Sequence, residues 1–545
     1  MSSVKKVFEF FALQVDSSII VVAWWVGKMH SGLEEAVATK SRMTHTRRPP
    51  KWLLIVAAIV AVAIPISGIV LWRAWPFTEA NVITALEQAT SSHVQIGEFR
   101  RTYFPHPGCV AEKVILKKGA DPVKQDVMQI ERITVVGNLL GLFTKHLALI
   151  ELRGAHATFP PYGTGENWKP TNSKIVVDKL VASDAWLEFA SRARDGKPTK
   201  FPVHAFVGHH LASGDPMQFE VRLANPVPPG EITADGTFGP WTMDQLGNTP
   251  VSGNYIFRDA DLSVFGGIGG ILSSTGQFKG TLENIAVEGS TETPDFAVHG
   301  STHKVDLKTD FKAEVNPSNG DVTLHRTAAR LRQTAIVSQG SIAGHPNEEG
   351  KRAALDLAVH NGKIQDLLLL FVAQKKAPLA GSVSLKAKTV IPPGDKPFLK
   401  KLMLTGDFGI DDALFSKEET QESVGKLSAS ARGKVDEEDD PESVVSNLQG
   451  QVTVQNGVVT FSKLSFRVPG ALANLHGTFD LITEKVDLHG MLIMEATLPR
   501  ATSGVKSFLL KAIDPFLKKN KHGGAKFPVS ITGTYQKPEY RADPV

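Results

Sequence analysis

The sequence predicts a mainly β protein: a single N-terminal transmembrane helix, then an elongated, twisted antiparallel β-sheet trough with a few short helices. Three observations predict it. Residues 52–72 (WLLIVAAIVAVAIPISGIVLW) carry no charge between Lys51 and Arg73. From about His93 onward apolar and polar residues alternate with a period of two, as in half-buried strands. Gly, Asn and Asp interrupt that alternation about every 8 to 12 residues, the spacing that antiparallel hairpins need. The composition, 42% hydrophobic and 21% charged over 545 residues, is that of a folded chain with room for several domains.

The uncharged stretch is long enough to cross a hydrocarbon core of roughly 30 Å as a helix. Trp52 and Trp72 stand where indole prefers the interface, Leu54, Ile59 and Ile69 are among its apolar residues, and Pro65 is a kink position. Arg42, Arg47, Arg48 and Lys51 precede the span, whereas Arg73 is followed by Glu79 and Glu87, so the positive-inside bias places the N-terminus in the cytoplasm and exports the rest. A cleaved signal peptide is the rival reading, but the apolar stretch exceeds the usual h-region and no A-x-A-like site follows it. Residues 17–26 form a second apolar patch too short to span. Met43 is an alternative start, because residues 1–42 fit nothing downstream.

Charge excludes one class of partner. Residues 1–51 hold eight Lys/Arg against four Asp/Glu, which leaves 52 against 52 in the remainder. A neutral exported region lacks the concentrated basic surface that nucleic acid requires. The lone Cys109 excludes an intramolecular disulfide framework, and in an early strand it serves as a small apolar residue.

Residues 77–90 (FTEANVITALEQAT) form a short helix with Thr78 as N-cap and Val82, Ile83 and Leu86 on its apolar side. Strands follow, about 25 to 28 of them, which at about 4.8 Å each extend on the order of 120 Å. The alternation is clearest at 302–315, where Val305, Leu307, Thr309, Phe311, Ala313 and Val315 share one face and Lys304 through Glu314 take the other. Val486, Leu488 and Leu492 repeat the pattern near the C-terminus. Helical patterns interrupt at 139–143, 364–374, 418–432 and 505–517. The chain divides into a cytoplasmic lead (1–51), the span (52–72), an N-terminal part of the trough (73–250), a central part with helical insertions (251–474) and a C-terminal region (475–545).

Chemistry finds little footing. No nucleophile elbow, HExxH, CxxC or Walker A lysine occurs, so no catalytic or metal-binding residue and no cofactor is assigned, and an enzyme is not expected. The glycine-rich FGGIGG (265–270) lacks the spacing and acidic partner of a phosphate loop and is assigned to a turn between strands. His209 and His210 point to opposite faces of a strand, against joint metal ligation. The acidic run 436–440 lacks the glycine-punctuated spacing of a calcium loop. The helix at 505–517 sets Phe508, Leu509, Ile513 and Phe516 in an apolar stripe beside Lys511, Lys518 and Lys519. It either docks on anionic lipid or caps the last edge of the sheet.

The order of these parts resembles the AsmA family of envelope proteins. The residues that carry the resemblance are 475–543 (LHGTFDLITEKVDLHGMLIMEATLPRATSGVKSFLLKAIDPFLKKNKHGGAKFPVSITGTYQKPEYRAD), 251–296 (VSGNYIFRDADLSVFGGIGGILSSTGQFKGTLENIAVEGSTETPDF) and the helix and strand at 77–99. The resemblance implies a repeating β-groove with an apolar floor that carries phospholipid between inner and outer membranes of a bacterial envelope and supports outer-membrane biogenesis, without catalytic residues. Its partners are phospholipid acyl chains and the inner membrane, with a periplasmic or outer-membrane protein as a further partner. An assembly scaffold for outer-membrane proteins is the alternative. The physics leaves one question to the tertiary structure: a packed β-sandwich shows the same alternation as an open trough.

Overall fold

A computed structural model describes residues 75–542 apart from 119–124, 139–145, 160–174, 191–197, 213, 243–244, 299–300, 317–319, 346–347, 349, 373, 395, 433–443 and 496–524. The chain forms two compact units, Met1–Trp75 and Pro76–Val545, and everything below except Trp75 belongs to the second. Among the described residues no helix is long and apolar enough to cross a membrane; residues 52–72 lie outside them, as does the helix expected at 505–517.

The second unit opens with helix α1 (Glu79–Thr90), capped by Thr78, whose hydroxyl accepts from the Asn81 amide at 3.3 Å. It buries no residue: Val82, Ile83 and Leu86 stay partly exposed. Strands follow as β1 (His93–Gln95), β2 (Glu98–Thr102), β3 (Gly108–Lys118), β4 (Gln125–Gly137), β5 (His146–Phe159), β6 (Val176–Phe189), β7 (Thr199–Leu211), β8 (Met217–Pro226), β9 (Pro229–Phe238) and β10 (Pro250–Asp261). After a two-residue β11 (Ile268–Gly269) come β12 (Ile271–Thr281), β13 (Ile285–Val298), β14 (Val305–Asn316), β15 (Asp321–Leu331), β16 (Thr334–Gly344) and β17 (Lys351–Lys363). Helix α2 (Ile364–Leu368) precedes β18 (Leu379–Ile391), α3 (Phe398–Lys401) precedes β19 (Met403–Phe415), and α4 (Glu418–Arg432) precedes β20 (Ser446–Gln455). The sheet ends with β21 (Val458–Val468), β22 (Ala471–Asp480), β23 (Lys485–Met494), β24 (Ala525–Thr534) and β25 (Lys537–Ala542).

Each strand pairs with the next in chain order, which is what short turns between alternating segments dictate. At the start β1 and β2 share one position beside β3, and β11 pairs only with β13, so among the described residues the sheet is 23 strands wide and curls as a half-barrel. At about 4.8 Å per strand its curved width is on the order of 110 Å. It runs unbroken through residues 250–251 and 474–475.

One expectation is corrected. The sheet is not wholly antiparallel: β5 and β6 run parallel, with Ile150 beside Leu180 and Phe159 beside Phe189. Residues 160–175 separate them, long enough for the return crossover that parallel strands require and that a tight hairpin turn forbids. The helix expected over 364–374 is also shorter, ending at Leu368 with turns beyond it.

Bulges supply much of the curl. Asp184, Asp259, Asn361 and Asp412 adopt positive φ of 50° to 56°, and register shifts fall beside Asp259, Asn361 and Asp412. Two glycines on one face, Gly490 opposite Leu475 and Gly477 opposite Leu488, show how close neighbouring backbone comes. A Cβ on Gly490 would meet the Asn474 carbonyl oxygen at 1.9 Å, and one on Gly477 (φ 142°) would meet that of Asp487 at 2.0 Å.

Candidate apolar trough

The register tracks one face of the sheet from end to end. Across the middle it runs Leu223 (β8), Ile232 (β9), Phe257 (β10), Ser274 (β12), Thr291 (β13), Thr309 (β14), Ala329 (β15), Ile336 (β16) and Val359 (β17). It continues through Leu385, Phe408, Gly450, Leu464, Leu475 and Gly490 to Val529. From β3 to β25 this face carries, between its rims, no Asp, Glu, Lys, Arg or His among the described residues. The opposite face carries the charges, joined in cross-strand pairs such as Lys308–Glu292 at 3.0 Å and Lys312–Glu288 at 2.7 Å.

Burial separates trough from sandwich. In β8, Met217, Phe219, Val221 and Leu223 are all partly exposed, and in β14 so are Leu307, Thr309, Phe311 and Val315. A second layer packed on this face would bury them as thoroughly as a domain core. All the described strands belong to one sheet, so among the described residues its apolar face fronts open space along much of its length.

The residues singled out from sequence fall on that face. Val305 and Leu492 are 2% and 3% exposed, whereas Leu307, Phe311, Val315, Val486 and Leu488 are partly exposed. Val305–Val315 and Val486–Leu492 are nine strands apart along the same strip and do not form a single pocket. The anchor residues 52–72 and the basic helix residues 508–519 lie outside the described residues.

Sequence reasoning missed how the rims meet. By register, the ends of β10, β13, β17 and β19 lie on one rim and those of β12, β18, β22 and β24 on the other. Opposite rims nevertheless touch. Gly267, in the turn before β12, lies against Phe398 of α3; a Cβ there would come within 2.3 Å of the phenylalanine Cβ. Gln374 donates its side-chain amide to Glu484 at 3.2 Å, and Lys417 donates to the Gln536 carbonyl at 3.3 Å. Each contact joins turns five to seven strands apart, so the strands run obliquely to the trough and its mouth is bridged in the C-terminal half. The FGGIGG segment is only in part the turn expected: Phe265 ends a 3-10 turn and Ile268–Gly269 form β11, while Gly267 between them is the closest point of a bridge.

The helices close the same half further. Val424 and Ala431 of α4 cluster with Leu464, Val468, Ala473, Leu475 and Leu492 from the floor, while Ile364 of α2 joins Val359, Leu379 and Ile410. Gln421 fixes α4 by donating to the Val444 carbonyl at 2.8 Å and accepting from the Phe415 amide at 3.0 Å. At the base of α2, Asp366 accepts from the Thr334 hydroxyl at 3.0 Å and the Gln333 amide at 3.1 Å. No comparable plug covers β6 to β10 among the described residues.

Polar features of the floor are uncharged. Tyr255 hydrogen-bonds the Ser274 hydroxyl at 3.0 Å, and burial raises its phenol pKa. Cys109 lies on the floor of β3, 1% exposed, with its thiol pushed up to about 11 by burial, the opposite of an activated nucleophile. His209 and His210 are exposed, and His210 engages Asp215 at 3.3 Å.

No family model, curated protein or solved structure matches this chain.

A cavity of about 750 Å³ opens on the other, charged face, lined by Gln339, Asp356, Lys386, Lys388, Asp407 and Thr453. Its mixed charges and water-facing register mark it as a fold in a twisted sheet, and the uncharged strip remains the candidate site.

Proposed function

We propose that this protein is a single-pass inner-membrane protein, N-terminus in the cytoplasm and bulk in the periplasm, that carries phospholipid acyl chains along the trough toward the outer membrane. One observation carries the reading: an uncharged strip crossing the sheet, left partly exposed with no second sheet over it among the described residues. Leaving so much apolar surface against water is unfavourable by roughly 25 cal/mol per Å², so an apolar occupant is the natural complement. The resemblance to the AsmA family points the same way. The carrier is non-enzymatic: acyl chains need shelter from water along a path, and no bond has to break. Residues 52–72 hold the protein at the inner membrane, and the open stretch over β6 to β10 admits lipid.

Photo-crosslinking tests this in the full-length protein in its native membrane. A benzophenone amino acid at Leu307 or Phe311 is expected to capture phospholipid, identified by mass spectrometry, and one at Lys308 to capture little. Capture of polypeptide along β25, with no lipid at Leu307 or Phe311, would replace this reading with an assembly scaffold.

A further inference from the structure

The turn between β2 and β3 carries the most exposed of the large apolar side chains described: Phe104 is 91% exposed, with Tyr103 half exposed beside it. Residues 101–106 are all exposed, and the chain returns to the interior abruptly at Pro107. The segment 99–107, FRRTYFPHP, contains no acidic residue. Arg100 is engaged by Glu112 at 2.8 Å, while Arg101 is exposed at the base of the tip. An aromatic tip above a cation is the pattern of a segment that enters a lipid interface, its rings at the acyl boundary and its cation at phosphate.

Chain connectivity supplies the occupant. The Gly137 amide donates to the Pro107 carbonyl at 2.7 Å, and the Phe77 ring lies over Gly137. The tip is therefore rooted beside Phe77, five residues after Trp72, where the proposed span ends. Five residues reach at most about 17 Å, and a headgroup layer is about 6 Å deep on each side of the hydrocarbon.

We infer that the Tyr103–Phe104 tip inserts into the outer leaflet of the membrane that anchors the chain, with Arg101 at anionic lipid phosphate. This rests on the anchored reading above. It gives the first strands a second attachment to the bilayer and restrains how they stand on its surface.

The test uses the full-length chain with Cys109→Ala, reconstituted in vesicles of phosphatidylethanolamine and phosphatidylglycerol. An environment-sensitive fluorophore is placed at Phe104→Cys or, as reference, at Val227→Cys, which is 64% exposed at the opposite rim. The label at 104 is expected to emit at shorter wavelength and to be quenched at least threefold more by lipid spin-labelled near the headgroup than the label at 227. Arg101→Glu is expected to reduce that quenching. Equal, water-like emission from both labels on protein that floats with the vesicles overturns the inference and leaves the anchor intact. Failure to float overturns both. Absence of lipid crosslinking in the trough, with the tip still quenched, overturns only the carrier.

Discussion

Phe311→Lys tests the trough most directly, with Asp310→Lys on the adjacent residue as its counterpart. Both put an ammonium on β14. Phe311 is on the floor opposite Gly289, over which the Tyr255 side chain reaches, whereas Asp310 is on the wet face opposite Ser290. A charge in apolar surroundings costs about 2.5 to 3.5 kcal/mol by membrane-insertion scales. At about 1.4 kcal/mol per tenfold, an acyl chain passing an ammonium on the floor is disfavoured about a hundredfold. Phe311 is only partly exposed to begin with, so part of the penalty is relieved by the lysine stem reaching toward the mouth, and a tenfold loss is a realistic floor. Transfer of a fluorescent phospholipid between donor and acceptor vesicles bearing the full-length protein measures it, with urea denaturation as a folding control. Asp310→Lys is expected to transfer within about twofold of the unmodified protein. Equal losses from both variants, with both folded, would refute the assignment of this face as the lipid path.

Two further predictions concern stability. Gly490→Val drives a branched side chain into the Asn474 carbonyl and is expected to cost about 3 kcal/mol, read as a lower urea midpoint; an unchanged midpoint would show that β22 and β23 can separate freely there. Glu188 accepts from His156 at 3.0 Å and pairs with Lys200 at 3.2 Å, and these bonds hold its carboxyl below the usual range. A carboxyl depressed in the folded state stabilises above its unfolded pKa and loses that contribution as pH falls through the folded value, so Glu188→Gln is expected to lower the melting temperature at pH 7 by the equivalent of about 1 kcal/mol or less and to make progressively less difference as pH falls below the usual carboxylate range.

The residues themselves determined the period-two alternation, and with it the single wet and single apolar face from β1 to β25. They determined the Thr78 cap, the interruption at 418–432 and the floor positions of Val305 through Val315, because each depends on neighbours a few residues away. The parallel pairing of β5 with β6 was not legible, since residues 160–175 announce a long connection but not the direction of return. Whether the apolar face meets another layer was not legible either, because a sandwich and a trough demand the same alternation; only the partial exposure of Phe219, Val221, Leu307 and Phe311 decided it. The bridging of the mouth by Gly267 and Phe398, by Gln374 and Glu484, and by Lys417 and Gln536 belongs wholly to the tertiary structure. Those partners lie more than a hundred residues apart, and what joins them is the accumulated twist and curl of the intervening strands, a quantity that no single strand encodes.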